Sequence, residues 1–184
     1  MRNKDILPIG LVVIAIVSRI IPHLPNFTPV ESIALFSGAY ILRNKLAYLI
    51  PILGIYLGDL LLNNTVYRSF YPAEEGVIWI SGYMIWTFVA MAGIILLGIQ
   101  LKHKLSALRV IGFSLTGSIL FFLVSNFGVW AGSVVYPKSM AGLIECYTLA
   151  LPFFRNSLLS NLIFTGVLFG SMELFFKPRF AKAG

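Results

Sequence analysis

The sequence predicts an all-α membrane protein, one bundle of six transmembrane helices with both termini in the cytoplasm, and three observations carry that expectation. Hydrophobic residues make up 58% of the 184 positions and charged residues only 11%, against about 25% charged in ordinary soluble domains. Mean hydropathy is +0.88; the apolar residues gather into long runs, and the polar stretches between them are too short for a soluble catalytic module. The cations are shared unevenly: Arg2, Lys4, Arg43, Lys45, Lys102, Lys104, Arg109, Lys177, Arg179 and Lys182 fall on one side of such a bundle, and only Arg19, Arg68, Lys138 and Arg155 on the other. That bias places the first group inside, since translocated connections carry fewer Lys and Arg.

The segments follow in order. Ile6 to Ile21 is the first, preceded by Met1 to Asp5 in the manner of a signal sequence but followed by no small-x-small cleavage site, so it is read as a retained helix. Pro29 to Leu42 is the second; it reaches only about 21 Å against about 30 Å of hydrocarbon, so neighbours must shelter it or the preceding loop must complete it. Leu46 to Leu62, Val77 to Gln100 and Leu108 to Asn126 are the third, fourth and fifth, and Ser157 to Phe176 is the sixth. Between the last two, Met140 to Leu151 reads as a short surface helix started near Pro137 and Ser139 and stopped by Pro152. Residues 1–184 thus form a single transmembrane domain. Small residues spaced four apart, Ala34 and Gly38, Gly54 and Gly58, Ser114 and Ser118, Gly166 and Gly170, suit close helix packing within the bundle or docking to another subunit.

Composition also excludes. The formal charge of +7 is carried by short clusters between apolar runs rather than by one polar face, so nucleic acid is not an expected partner. The single Cys146 rules out an intrachain disulfide and a multi-cysteine metal site. His23 and His103 fall on opposite sides, and there is no HExxH, GxSxG or Walker A pattern, so neither a recognisable catalytic centre nor unaided ATP hydrolysis is expected.

Five ionisable residues lie within or at the ends of apolar segments, all on the non-cytoplasmic side: Arg19, Glu31, Asp59, Glu145 and Arg155. Charges at membrane depth are costly and usually mark a pathway or a binding site. Asp59, in GIYLGDLLLNN, needs a cation, a polar ligand or a proton; Arg19 or Arg155 would serve as a structural partner. Glu31 either closes the capping box of Thr28-Pro29-Val30-Glu31 or faces a ligand, and the two are compatible. Arg19 either snorkels to the interface or joins the site. Asn63, Asn64 and Tyr67 extend the wall next to Asp59 or cap the loop, Glu173 has Lys177 as its partner one turn on, and Cys146 is either a thiol ligand or a buried inert side chain. Asn126, Trp130 and Tyr147 offer aromatic faces with polar edges, suited to a flat organic ligand and equally to an interfacial belt. Arg155 and Asn156 open the last segment, where Asn caps readily.

Arg19 to Tyr40 (RIIPHLPNFTPVESIALFSGAY) and Ser125 to Gly170, with its YPKSMAGLIECYTLALPFFRN core, carry a resemblance. The chain resembles an uncharacterised bacterial family of transport proteins that is similar to the substrate-binding S-components of energy-coupling-factor transporters, closest to the cobalamin-binding BtuM type. The resemblance implies a six-helix protein of the cytoplasmic membrane that holds a micronutrient in an outward-facing pocket, has a scaffold subunit and ATPases as partners, and is not itself an enzyme. Trp79 to Tyr83 (WISGY) lacks the cobalt-ligating cysteine of BtuM-like proteins, and the first helix lacks their Ala-x-x-x-Ala docking signature.

The resulting expectation is uptake of a vitamin-like micronutrient, with a corrinoid as a candidate transported ligand and no resident cofactor or metal. The pocket is assigned to Arg19, Glu31, Asp59, Asn63, Tyr67, Asn126, Trp130, Tyr147, Arg155 and Asn156. The alternatives are an intramembrane cofactor-modifying enzyme that uses the same outer cavity, with Asp59 as acid or base and Cys146 as nucleophile, and a structural subunit of a membrane complex.

Overall fold

The computed structural model describes residues 3–21, 24–41, 46–70 and 75–175. Among them the chain is all-α, with no strand: α1 is Asn3–Ile20, α2 Val30–Tyr40, α3 Leu46–Asn64, α4 Gly82–Leu101, α5 Ala107–Gly132 and α6 Met140–Phe175, with one 3-10 turn at Arg68–Phe70. The lysines of the expected inner tail lie outside the described residues, as does His23.

The bundle is built around its shortest member. Ten of the 11 residues of α2 are buried, and α3, α4, α5 and α6 all pack on it, while α1 lies mainly against α3. A helix of about 17 Å is sheltered on every side in this way, and Ile33, Leu35 and Phe36 of α2 meet Met91, Ile94 and Ile95 of α4 and Phe169 of α6 in one apolar core. The closest approach is a glycine crossing: a Cβ on Gly38 would stand 2.2 Å from the Ile95 carbonyl oxygen, and one on Gly98 2.2 Å from that of Leu35. Ser114 and Ser118 also sit at helix contacts, whereas a Cβ on Gly166 or Gly170 would meet open space. The small-residue pairs are therefore not equivalent.

Helices α4, α5 and α6 are long and apolar enough to cross a membrane, over Gly82–Leu101, Ala107–Gly132 and Met140–Leu174. Their outward faces expose Ile85, Val89, Leu96, Ile119, Leu123, Ile163 and Val167, a distribution that suits lipid rather than water. By length and composition this is a membrane protein.

The carboxy-terminal half corrects the expected segmentation. The short surface helix and the sixth segment are one helix of 36 residues that runs through Pro152. Proline forfeits one backbone hydrogen bond and strains the preceding turn, but the helix continues, with contacts to α5 on both sides of it: the Tyr147 hydroxyl donates to the Leu123 carbonyl at 2.5 Å, and Phe154 packs on Phe122 with ring centroids 4.5 Å apart. α5 likewise passes Asn126 and continues to Gly132, because the Asn126 amide donates back to the Phe122 carbonyl at 2.8 Å instead of ending the helix. The stretch between the fifth and sixth expected segments, Phe127 to Asn156, is thus mostly helical, and the connection reduces to residues 133–139, closed by the Trp130 indole N–H on the Pro137 carbonyl at 2.9 Å. α4 begins later than expected, at Gly82. Residues 77–80 are held non-helical because Asn64 accepts from the Ile78 N–H at 2.8 Å and donates to the Ile78 carbonyl at 3.0 Å.

The capping box on α2 does not form. Pro29 is the residue before the first helical turn and no side chain caps that turn; the Glu31 carboxylate turns inward to α5 and α6 instead.

Candidate functional site

Between α5, α6 and the neighbouring parts of α1, α3 and α4 lies a cavity of about 210 Å3. It is lined by Arg19, Asp59, Tyr83 and Thr87, by Phe121, Phe122, Ser125 and Asn126 of α5 and by Ala150, Phe153, Phe154 and Ser157 of α6, with Asn26 at the rim. Helical periodicity puts these residues on common faces: 121, 122, 125 and 126 form one stripe, and 150, 153, 154 and 157 follow the three-and-four spacing of a single face. A recess of about 30 Å3 adjoins it, sharing Arg19, Asn26, Thr87, Phe121 and Ser157 and adding Glu31, Thr28, Ile55 and Met91.

The charged centre is an ion pair between Arg19 and Asp59. Asp59 is 1% exposed and Arg19 24%. Gly58 makes the approach possible, since a Cβ there would come within 3.0 Å of Arg19 Cδ; the stem of Arg19 lies flat on α3 and delivers its guanidinium to the next residue. The pair is not saturated: Arg19 Nε and Asp59 Oδ2 are buried without a hydrogen-bond partner.

Glu31 faces the adjoining recess and accepts hydrogen bonds from the hydroxyls of Ser118, at 2.7 Å, and Ser157. From there a buried polar ladder links three helices. The Asn161 amide donates to Ser118 Oγ and to the Ser114 carbonyl, both at 2.9 Å, while its oxygen accepts from Ser32 at 2.7 Å and from Thr165 at 3.1 Å. Every member of the ladder is 5% exposed or less. In an apolar surrounding such bonds hold helices together and fix their register.

The rim is shaped by a turn. Pro25-Asn26 forms its centre, with the Phe27 N–H on the Leu24 carbonyl at 3.0 Å. Asn26 has φ 60°, in the left-handed region that asparagine tolerates better than other side-chain-bearing residues. The turn docks on α6: Asn156 donates to the Pro25 carbonyl at 3.0 Å, Ser160 to that of Asn26 at 3.4 Å, and Phe27 meets Phe164 edge-on at 5.9 Å. The PNF and LPFFRN stretches therefore come together at one mouth.

Of the residues assigned from sequence, Arg19, Asp59 and Asn126 line the cavity and Glu31 the recess. Asn63, 1% exposed, stands behind the wall, accepting from the Tyr83 hydroxyl at 3.1 Å. Tyr147 does not line the cavity either; its ring meets that of the lining residue Phe122 edge-on at 5.5 Å. Asn156 braces the rim. Trp130 closes the α5–α6 connection, packed on Phe127 at 5.6 Å with the Lys138 ammonium 5.6 Å from its ring. Tyr67, Glu145 and Arg155 are exposed and line neither space, and Arg155 is not the partner of Asp59. Glu173 accepts from the Tyr40 hydroxyl at 2.9 Å, and Lys177 lies outside the described residues. Cys146 is buried at 2%, its Sγ 3.6 Å from the Asn126 carbonyl oxygen.

The sequence reading missed Asn26, Tyr83, Thr87, Phe121, Phe122, Ser125, Phe153, Phe154 and Ser157. A signal existed for the last group: FFLVSN on α5 and FFRNS on α6 each repeat an aromatic pair followed within a turn by hydroxyl and amide side chains. Among the described residues no group of three His, Cys, Asp or Glu side chains is placed to hold a metal.

No curated protein and no solved structure matches the chain. One family model matches it from residue 1 to residue 183. With nearly the whole bundle covered, the chain belongs to the family of unknown function DUF6580.

Proposed function

We propose that this protein is a multi-pass substrate-binding transport component of the cytoplasmic membrane, in the manner of an S-component, with six spans, both termini inside and the cavity facing outward. The observation that carries the reading is the cavity itself: a space of about 210 Å3 that combines aromatic walls with a buried, unsaturated ion pair, the combination of apolar enclosure and few fixed polar groups that suits a small organic ligand. The acids facing it are already engaged, Asp59 by Arg19 and Glu31 by two serines, which supports holding a ligand over transforming one. The ligand is a vitamin-like micronutrient below drug size, since larger ligands occupy about 300 Å3 or more. A corrinoid would enter only if the helix ends around the mouth parted. Energy would come from a separate scaffold and its ATPases.

Mass spectrometry of protein purified gently in detergent is expected to find one small organic molecule retained by the wild type. Phe154→Ala, which removes part of the aromatic wall, is expected to lower its occupancy by about tenfold with no loss of monodisperse protein. Equal occupancy in the variant would place the ligand elsewhere.

The topology has its own check. On a Cys146→Ser background, Val134→Cys, in the α5–α6 connection and 99% exposed, is expected to react with a membrane-impermeant maleimide in intact cells. His103→Cys, in the exposed α4–α5 turn, is expected to react only after lysis; the reverse pattern would invert the bundle.

A further inference from the structure

The outward face of α6 carries a charge that nothing among the described residues answers. A helix needs about 20 residues to cross the hydrocarbon of a bilayer, and the apolar stretch of α6, Met140–Leu174, has 35. Wherever the crossing starts within that stretch, Arg155 falls inside it. Ile144, Leu149, Leu151 and Phe153 are exposed on its amino-terminal side, so the surface that needs lipid runs well past Arg155 and keeps it from the edge of the hydrocarbon. Arg155 itself is exposed, and among the described residues nothing bonds to or pairs with its guanidinium.

An arginine at that depth ordinarily turns into the bundle or toward water and takes an acid or backbone carbonyls as its partner. Arg19 does so, on Asp59. Arg155 faces the other way, and a counter-charge at its depth has to come from outside the described chain.

The rest of the face indicates what brings it. Arg155, Leu159, Ile163, Gly166 and Gly170 follow the three-and-four spacing of one helix face, and Leu159 and Ile163 are exposed. A Cβ on Gly166 or Gly170 would meet nothing within 4 Å, so bare backbone stands open on two successive turns, where a second helix can approach closely. A lipid phosphate belongs to the headgroup layer outside the hydrocarbon and makes no use of that backbone. A second copy of this chain, related by a twofold axis along the membrane normal, would set Arg155 beside Arg155. The acids of α6 do not relieve that clash: Glu145 is ten residues away, about 15 Å along the helix, and Glu173 is engaged by Tyr40.

We propose that α6 docks a membrane-spanning helix of a different protein on the face of Arg155, Gly166 and Gly170, with an acidic side chain of that helix paired to Arg155. This docking needs α6 to cross the membrane and needs nothing of the cavity.

Photo-crosslinking of the full-length protein in its own host membranes tests it, with p-benzoylphenylalanine in place of Ile163 and, as a control, in place of Ile119 on the exposed face of α5. The expected result is a protein adduct from position 163, absent from position 119, whose crosslinked peptide, read by mass spectrometry, comes from a membrane segment that contains Asp or Glu. Arg155→Glu is expected to lower its yield at least about tenfold, and replacing the partner's acid by Lys to restore it in that variant. Gly166→Leu, which fills the open backbone, is expected to lower the yield as well. Arg155→Leu and Gly166→Leu are both expected to leave the isolated protein folded and monodisperse in detergent. A crosslinked second copy of this chain, adducts with lipid alone, or an adduct indifferent to Arg155→Glu would overturn the docking. Unfolding of the Arg155→Leu protein would overturn it too, by making Arg155 a structural residue. A cavity found to retain no small molecule would leave the docking standing, and loss of the adduct would leave the cavity reading standing.

Discussion

Replacing Arg19 by leucine is expected to cost far more stability than replacing Asp59 by asparagine, although the two residues make the same contact. Arg19→Leu strands a carboxylate that is 1% exposed, and breaking a buried pair from that side costs about 3–5 kcal/mol. Asp59→Asn strands a guanidinium whose residue is 24% exposed and which keeps part of its hydration, and the amide still accepts a hydrogen bond, so its cost is about 1–2 kcal/mol. The double variant Arg19→Leu/Asp59→Asn is expected to recover to within about 2 kcal/mol of the wild type, because no unpaired charge remains. It should also fail to hold the ligand. Unfolding in mixed micelles, read as a double-mutant cycle, checks the asymmetry; equal costs for the two single variants would mean that the pair is hydrated.

The second large effect falls on the glycine crossing. Gly98→Val is expected to abolish folded protein, and Gly38→Val to do the same, because each adds carbon atoms where a helix carbonyl oxygen already lies 2.2 Å from the first of them. Overpacking usually costs about 1–3 kcal/mol through side chains that shift, but here the obstacle is backbone, and α2 has neighbours behind it in every direction. The cost is therefore expected to exceed about 3 kcal/mol. Gly166→Ala and Gly112→Ala, where an added Cβ meets nothing within 4 Å, serve as controls and should leave the elution profile in size-exclusion chromatography unchanged.

These two cases show what composition alone conveyed and what it withheld. The helical class, the sheltering of the short second segment and the need of Asp59 for a partner follow from hydropathy and from the rarity of acids in apolar runs. The partner of Asp59 does not, because Arg19 and Arg155 stand equally well placed until the packing of α1 on α3 decides between them. Pro152 reads as a stop because a proline breaks an isolated helix; the contacts of Tyr147 and Phe154 that carry α6 past it are tertiary. Glu31 fits a local capping pattern, yet Ser118 and Ser157, 87 and 126 residues away in sequence, win its carboxylate. Trp130 and Tyr147 have ligand-like chemistry and serve as braces, while the plainer Phe122 and Phe154 face the space. Which face of a helix looks inward is set by its neighbours, and in a bundle apolar on both sides the sequence period is faint.

The enclosure of α2 also bears on how the chain is made. Eleven residues that include Glu31 and Ser32 form a poor candidate for release into lipid on their own, since those groups would face hydrocarbon without partners. Their partners Ser118, Ser157 and Asn161 leave the ribosome more than eighty residues later, a delay on the order of ten seconds at ordinary rates of synthesis. During that interval the amino-terminal third must wait near the interface or in the care of the insertion machinery. The order of synthesis is thus not the order of assembly: the first helices made are completed by the last.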